Sequence, residues 1–116
     1  MTEDEVIRAL GALAQASRLR VFRLLVVAGP AGATPGSLSA ELGIPPSSLS
    51  AQLKELANAG LVSAALQGRS IRYSARFDTT NALLGFLTAN CCGGQPCLDT
   101  ASLSCAPRAP EEDTTP

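Results

Sequence analysis

At Gly60 the hydrophobic period of the chain changes from the spacing of helices to the spacing of strands. Before Gly60, apolar residues recur every three or four positions, as on one face of an amphipathic helix. After it, residues 61–67 and 71–77 alternate as strands do, and Gly68-Arg69-Ser70 between them predicts a hairpin turn. This order predicts a mainly α chain with one small β-hairpin.

Apolar spacing together with start and stop signals predicts five helices. They begin near residues 3, 17, 35, 46 and 79 and end near residues 15, 28, 42, 59 and 90. The second helix is apolar nearly all round, which predicts a buried central position. In the fourth helix, one side is predicted to face inward through Leu49, Leu53 and Leu56.

Capping residues set the predicted helix starts. Thr2, with Glu5 three residues later, fits a capping box at the first helix. Ser17 is the predicted cap of the second helix, and Thr79 or Thr80 that of the fifth, because short hydroxyl side chains accept the unpaired N–H groups of a first turn.

The composition suits a single packed domain followed by a tail. The chain has 116 residues, of which 46% are apolar and 16% charged, and domains usually hold ~100–150 residues. Residues 91–116 differ from the rest, because they contain four of the eight prolines and all four cysteines. We therefore predict a domain over residues 1–90 and an extended, mostly irregular tail over residues 91–116.

Neither a membrane segment nor a secretion signal is predicted. No apolar run reaches the ~18–20 residues of a membrane span. The N-terminus carries Glu3, Asp4 and Glu5, the reverse of the positive start of a signal peptide. A soluble, cytoplasmic protein is expected.

The chain contains no histidine. This excludes a Ser-His-Asp triad, a Cys-His nucleophile pair, a histidine general base and histidine-ligated zinc. The cysteines follow a predicted helix C-terminus, where the helix dipole disfavours a reactive thiolate. We therefore expect a protein that is not an enzyme.

The charge is unevenly distributed. The whole chain has net charge −1, but residues 1–90 carry eight basic and six acidic residues, whereas residues 91–116 are net acidic. Within residues 44–76, four basic residues, Lys54, Arg69, Arg72 and Arg76, face a single acidic one, Glu55. A basic middle section is compatible with nucleic-acid binding, although a solvated basic face is the ordinary alternative.

Two short helices, a tight turn and a hairpin follow one another in the order of a winged helix-turn-helix. The second helix of such a pair enters the major groove, and its predicted outer face carries Ser47, Ser48, Ser50, Gln52 and Lys54. On the hairpin, Arg69 and Arg72 suit the minor groove or its flanking phosphates. The alternative for each of these residues is the hydrated side of an amphipathic helix or hairpin.

The sequence Ser-x-x-Leu-x-x-Leu-x-x-Ala-Gly-Leu-Val at residues 50–62, followed by Gly68-Arg69, resembles the ArsR/SmtB family of bacterial metal-responsive repressors. The resemblance covers about residues 5–90. It implies a homodimer formed through the first and fifth helices, which binds double-stranded operator DNA when empty and leaves it when metal binds. Gln52 departs from the histidine that the family often has there, which makes the operator sequence less predictable.

All four cysteines, Cys91, Cys92, Cys97 and Cys105, follow the predicted domain. A disulfide is not expected in the reducing cytoplasm, and a cysteine-rich tail there indicates soft-metal binding or redox sensing. Gly93-Gly94 supplies a turn that would let the third cysteine fold back toward the first two. Cys105 is either a spare thiol or a fourth ligand for zinc or cadmium.

Residues 90–97 also resemble the tail site of ArsR members that sense trivalent arsenic. That resemblance implies a site of three thiolates from Cys91, Cys92 and Cys97. Two other metal sites of the family lack their ligands here, since the third helix has no sulfur and the last helix no histidine.

The sequence therefore predicts a repressor that trivalent arsenic or antimony releases from DNA, with no organic cofactor. A thiolate sensor for cadmium, zinc or lead and a thiol redox-sensing repressor of the same fold remain as alternatives.

Overall fold

In a computed structural model, which describes residues 1–95, the chain folds as a mainly helical winged helix-turn-helix with one antiparallel hairpin, as predicted. The predictions for Cys97, Cys105 and the rest of the tail concern residues outside this range. The elements in chain order are α1 (Glu3–Leu13), α2 (Ala16–Ala28), a 3-10 helix (Gly29–Ala31), α3 (Pro35–Leu42), α4 (Pro46–Asn58), β1 (Val62–Gln67), β2 (Ser70–Ala75), α5 (Phe77–Thr88) and a second 3-10 helix (Cys91–Gly94).

The capping box at α1 is confirmed. The Thr2 N–H donates to Glu5 Oε1 over 2.8 Å, and the Glu5 N–H donates to Thr2 Oγ1 over 3.2 Å.

The predicted cap of α2 is wrong. The helix begins two residues earlier than predicted, because the extended Gln15 accepts the Arg18 N–H through its side-chain oxygen at 2.9 Å. Ser17 is consequently already inside the first turn.

The predicted start of α5 is also wrong. The helix begins at Phe77, and both threonines lie within it. Asp78 Oδ1 accepts the N–H of Thr79 at 2.9 Å, while the Thr80 hydroxyl donates back to the Arg76 carbonyl over 3.1 Å. A threonine that bonds the preceding turn stays in the helix instead of capping it.

The hairpin is tighter than predicted. Gln67 pairs with Ser70, so the turn consists of Gly68 and Arg69 alone, with Gly68 at φ 64°. Ser70 therefore belongs to β2, and β2 ends at Ala75, two residues before the expected end, because the chain turns there into α5.

The core lies between α2 and α4, with contributions from α1, α3, α5 and both strands. The three α4 leucines, Leu49, Leu53 and Leu56, are buried as predicted. α2 has the predicted central position through its buried residues Val21, Phe22 and Leu25, but it is not covered on every side, since Leu19 is 44% exposed and Val27 72% exposed within the described chain. No helix among residues 1–95 combines the length and apolarity needed to cross a bilayer.

The segment just before α3 joins the hairpin to the helical body. Ala33 and Tyr73 exchange both backbone hydrogen bonds at 2.9 Å, so Ala33 extends the sheet by one bridge beside β2. Gly32, at φ 72°, permits this approach, because a Cβ atom there would overlap the Tyr73 carbonyl oxygen. The hairpin is thus held to the body in part by backbone hydrogen bonds.

We predict that Gly32→Ala destabilises the protein more than Gly29→Ala. The two glycines have nearly the same backbone angles, φ 72°, ψ −164° and φ 76°, ψ −164°. Strain in this glycine-only region costs about 1–3 kcal/mol at either position. Only at Gly32 does the new methyl group also displace the Tyr73 backbone, whereas Gly29 has open space around it. Urea unfolding measures the free energy of unfolding of both variants. An equal decrease in the two variants would contradict the role given to the Gly32–Tyr73 contact.

Candidate functional site

The turn between α3 and α4 is fixed by three hydrogen bonds to or from Ser39. Its carbonyl accepts the N–H groups of Gly43 at 2.9 Å and Ile44 at 3.3 Å, and its hydroxyl donates to the Ile44 carbonyl. Gly43 adopts the left-handed conformation at φ 67° that such a helix end favours. The angle at which α4 leaves α3 is therefore set by local bonding as well as by the core.

Four of the five predicted recognition residues on α4 lie in water. Ser47, Ser48, Ser50 and Lys54 are exposed, whereas Gln52 is half-buried. With about 100° between successive helix residues, Gln52 lies only about 60° from the direction of Leu49, next to the buried leucine row. The structure thus brings the three serines and Lys54 together on the outer part of α4 and places Gln52 at its edge.

The two arginines of the hairpin have different surroundings. Arg69 occupies the second position of the turn and is exposed. Arg72 is half-buried, and its guanidinium donates from Nε to the Ala31 carbonyl over 3.1 Å and from Nη2 to the Gly32 carbonyl over 3.4 Å. Arg72 therefore ties β2 to the segment before α3, a structural contact that the sequence alone did not indicate. A DNA contact from Arg72 stays a prediction.

Arg76 of the basic middle section forms an ion pair at the start of α5. Its Nη2 lies 2.7 Å from Asp78 Oδ2 and its Nε lies 3.3 Å from Asp78 Oδ1. These hydrogen bonds hold the pKa of Asp78 below its usual value and raise the pKa of Arg76. Asp78 compensates the charge of Arg76. The remaining basic residues of 44–76 are therefore Lys54, Arg69 and Arg72. Among the described residues, neither Arg69 nor Lys54 forms an ion pair.

The first two cysteines follow α5 directly in a tightly turned segment. Asn90, Cys92 and the two glycines after it have positive φ angles, so the chain turns here through left-handed conformations instead of the extended course predicted from residue 91. Cys91 is half-buried, with its Sγ 4.0 Å from the Gln95 carbonyl oxygen. Cys92 is exposed and forms a disulfide, contrary to the expectation of reduced thiols, so a thiolate site would need its reduced form.

A complete metal site is not formed within residues 1–95, where no three cysteine, aspartate or glutamate side chains come together. The predicted site of Cys91, Cys92 and Cys97 includes one residue outside this range, and it stays a prediction. The described part places its first two members at the C-terminal end of α5.

Apolar side chains are exposed on the two helices that the family resemblance assigns to the dimer interface. On α1 these are Ile7 and Leu10, and on α5 they include Leu84, Phe86 and Leu87. Exposed apolar patches on a small domain mark interaction surfaces. This surface was implied only by the family resemblance, since helical periodicity alone would place Ile7 and Leu10 in the core.

Known proteins share this fold. A helix-turn-helix domain family matches residues 13–63. An ArsR-like transcriptional regulator from Rhodococcus sp. RHA1 is 27% identical with TM-score 0.66, over 72% of this chain and 76% of that one. The AntR antimony-specific transcriptional repressor is 30% identical with TM-score 0.58, over 79% of this chain and 83% of that one.

A third structure is the homodimeric winged helix-turn-helix DNA-binding domain of Mb0332 from Mycobacterium bovis, described as a possible ArsR-family regulator. It is 25% identical with TM-score 0.61, over 83% of this chain and 89% of that one. Among curated proteins, none matches the chain.

The hairpin beside an exposed polar helix, together with these matches, defines a winged helix-turn-helix DNA-binding protein. Within that class, the chain belongs to the ArsR family of transcriptional regulators.

We predict that Arg69→Ala and Arg72→Ala have separable effects. Arg69→Ala should weaken DNA binding and reduce the slope of log K against log salt by about 1, because one phosphate contact is lost, while the melting temperature is unchanged. Arg72→Ala should lower the free energy of unfolding by about 1–3 kcal/mol, because two carbonyl partners lose their donor.

Fluorescence anisotropy at several salt concentrations and thermal unfolding measure the two effects. Arg69→Lys is the control, since it keeps the charge and should keep the slope. An Arg69→Ala variant with the parent slope would remove Arg69 from the interface.

Proposed function

We propose that the chain is a transcriptional repressor that binds operator DNA as a homodimer and is released by trivalent arsenic or antimony. The observation that carries this proposal is the position of Cys91 and Cys92. They follow directly after α5, and α5 carries an exposed apolar face.

The donor set supports a trivalent metalloid as the inducer. Three thiolates from Cys91, Cys92 and Cys97 would bind arsenic or antimony with the metalloid lone pair completing a pyramid, and soft ligands select soft ions. The chain offers no histidine as an alternative ligand. The similarity to the AntR antimony-specific repressor, 30% identical, supports the same class of inducer.

The apolar faces of α1 and α5 support the homodimer. Each subunit would bury Ile7 and Leu10 together with the α5 residues Leu84 and Leu87 against its partner. Apolar burial of this kind is the main favourable term in association. The homodimeric Mycobacterium bovis domain supports the same assembly. The site of action would be the cytoplasm, where DNA and reduced thiols occur together.

Release from DNA would be transmitted through α5. Gathering three thiolates draws the segment after residue 90 against the end of α5 and reorients the two subunits. Dimeric helix-turn-helix proteins need recognition helices spaced by about one DNA turn, roughly 34–36 Å, so a small reorientation weakens binding. A coupling free energy of about 1–3 kcal/mol corresponds to an affinity change of about 5–150-fold.

A thiol redox-sensing repressor is the second candidate, and the disulfide of Cys92 favours it. In that case, oxidation instead of metalloid binding would change the α5 end. A thiolate sensor of cadmium, zinc or lead is the third, because a fourth cysteine, Cys105, is available in the sequence.

We predict that arsenite releases the reduced protein from DNA and protects three thiols per chain, those of Cys91, Cys92 and Cys97. Serine substitution of any of these three should leave DNA binding intact and abolish release, because a complete trithiolate site is lost. Anaerobic fluorescence anisotropy with added arsenite measures release, and a thiol count on the same samples measures protection.

Cys105→Ser is the matched control, since it removes a tail thiol outside the proposed site and should respond like the parent. Release of Cys91→Ser by arsenite at the parent concentration would refute the trithiolate site. Release by a disulfide-forming oxidant alone would favour the redox sensor, and protection of all four thiols by cadmium or zinc would favour the divalent-metal sensor.

A further inference from the structure

The hairpin ends in an exposed apolar pair. Leu66 and Ile71 lie directly opposite each other in the register, one residue position before the Gln67–Ser70 pair that closes the turn. Leu66 is 74% exposed and Ile71 37% exposed, although β-branched and apolar side chains in a hairpin normally face a core. Among the described residues, Leu66 is left largely uncovered and Ile71 partly so.

The pair continues the inner face of the hairpin beyond the helical body. Strand side chains alternate between faces, so Val62–Ala75, Ala64–Tyr73 and Leu66–Ile71 share one side. The first pair is buried, Tyr73 is half-buried, and the last pair projects past the core. The apolar face therefore extends further than folding of the domain requires.

The neighbouring groups indicate what this pair contacts. Arg69, at the tip of the same turn, is exposed and forms no ion pair within residues 1–95. A cation beside two aliphatic side chains on a protruding tip fits a DNA minor groove, where arginine is drawn by the negative potential and leucine or isoleucine wedges against sugars and base steps.

A protein partner fits the pair less well. A specific protein interface buries about 800 Å² on each partner, and two side chains at the tip of a two-stranded hairpin provide only a small part of that area. A DNA groove needs no such area, because the phosphate contacts of the rest of the protein supply most of the affinity.

We propose that Leu66 and Ile71 form an apolar wedge that enters the operator minor groove beside Arg69 and bends the duplex. The proposal rests on the repressor function and adds a specificity device to it. An inserted side chain favours base-pair steps that unstack easily, such as TA and CA/TG. The hairpin would thus select operator sequences by the deformability of the DNA, without hydrogen bonds to bases.

The test compares the parent with the double variant Leu66→Ser/Ile71→Ser on a duplex that the parent selects from a random-sequence library. We expect roughly ten- to hundredfold weaker binding, from the loss of two buried aliphatic side chains. The end-to-end energy transfer of a dye-labelled duplex should report a smaller bend. The salt slope should stay that of the parent, because no charge is removed.

Two controls separate the wedge from general effects. Val27→Ser removes an equally exposed apolar side chain, 72% against 74% for Leu66, from α2 and should bind and bend DNA like the parent. Leu66→Val/Ile71→Val keeps the hairpin apolar and should retain most of the bend, and a parent-like melting temperature of the double serine variant excludes an unfolded hairpin.

Parent-like affinity and bending by the double serine variant would overturn the wedge and leave the repressor function standing. A changed oligomeric state of the free double variant with an unchanged bend would overturn it too, since the pair would then contact a second copy. If the parent itself selects no duplex, the repressor function fails, and this result is distinct from either of the others.

Discussion

Burial of three leucines on α4 determines which side of the recognition helix can meet DNA. Leu49, Leu53 and Leu56 are each 2% exposed or less, and they pack in the core against α2. Burying an aliphatic side chain contributes about 1.5–3 kcal/mol, so rotation of α4 about its axis would cost several such contributions. The serines and Lys54 consequently stay in water, and Gln52 stays at the boundary. The polar face lies outside the core and is available for function.

The hairpin is fixed to this body by backbone contacts and by one arginine. Ala33 and Tyr73 pair through the backbone, Gly32 leaves the space for that pairing, and Arg72 bonds the carbonyls next to it. These contacts hold the base of the hairpin and leave its tip, with Arg69, projecting. The position of the hairpin relative to α4 therefore depends on a few bonds between β2 and the segment before α3 and on the core packing of Val62 and Ala75.

The sequence predicted the elements well and their junctions less well, for a physical reason. Leucine spacing and the stop at Gly60 identify α4 and the hairpin, because periodicity is a property of adjacent turns. A helix start depends on which of several nearby side chains accepts the free N–H groups of the first turn. At α2 this side chain is that of Gln15 and not that of Ser17. Arg72 could not be assigned from sequence, because its partners lie 40 and 41 residues away. The exposure of Leu66 likewise depends on how far the body extends under the hairpin.

The two ends of α5 differ in a way that suits transmission of a signal. Its first turn is held by the Arg76–Asp78 ion pair and by the bond from the Thr79 N–H to Asp78. Its last turn passes into a segment of left-handed residues that carries Cys91 and Cys92. Left-handed non-glycine residues such as Cys92 store about 1–3 kcal/mol of strain each, which is comparable to the coupling free energy of an allosteric change. A ligand that rearranges this segment would therefore act beside the C-terminal end of α5, while the hydrogen bonds of the first turn hold the other end.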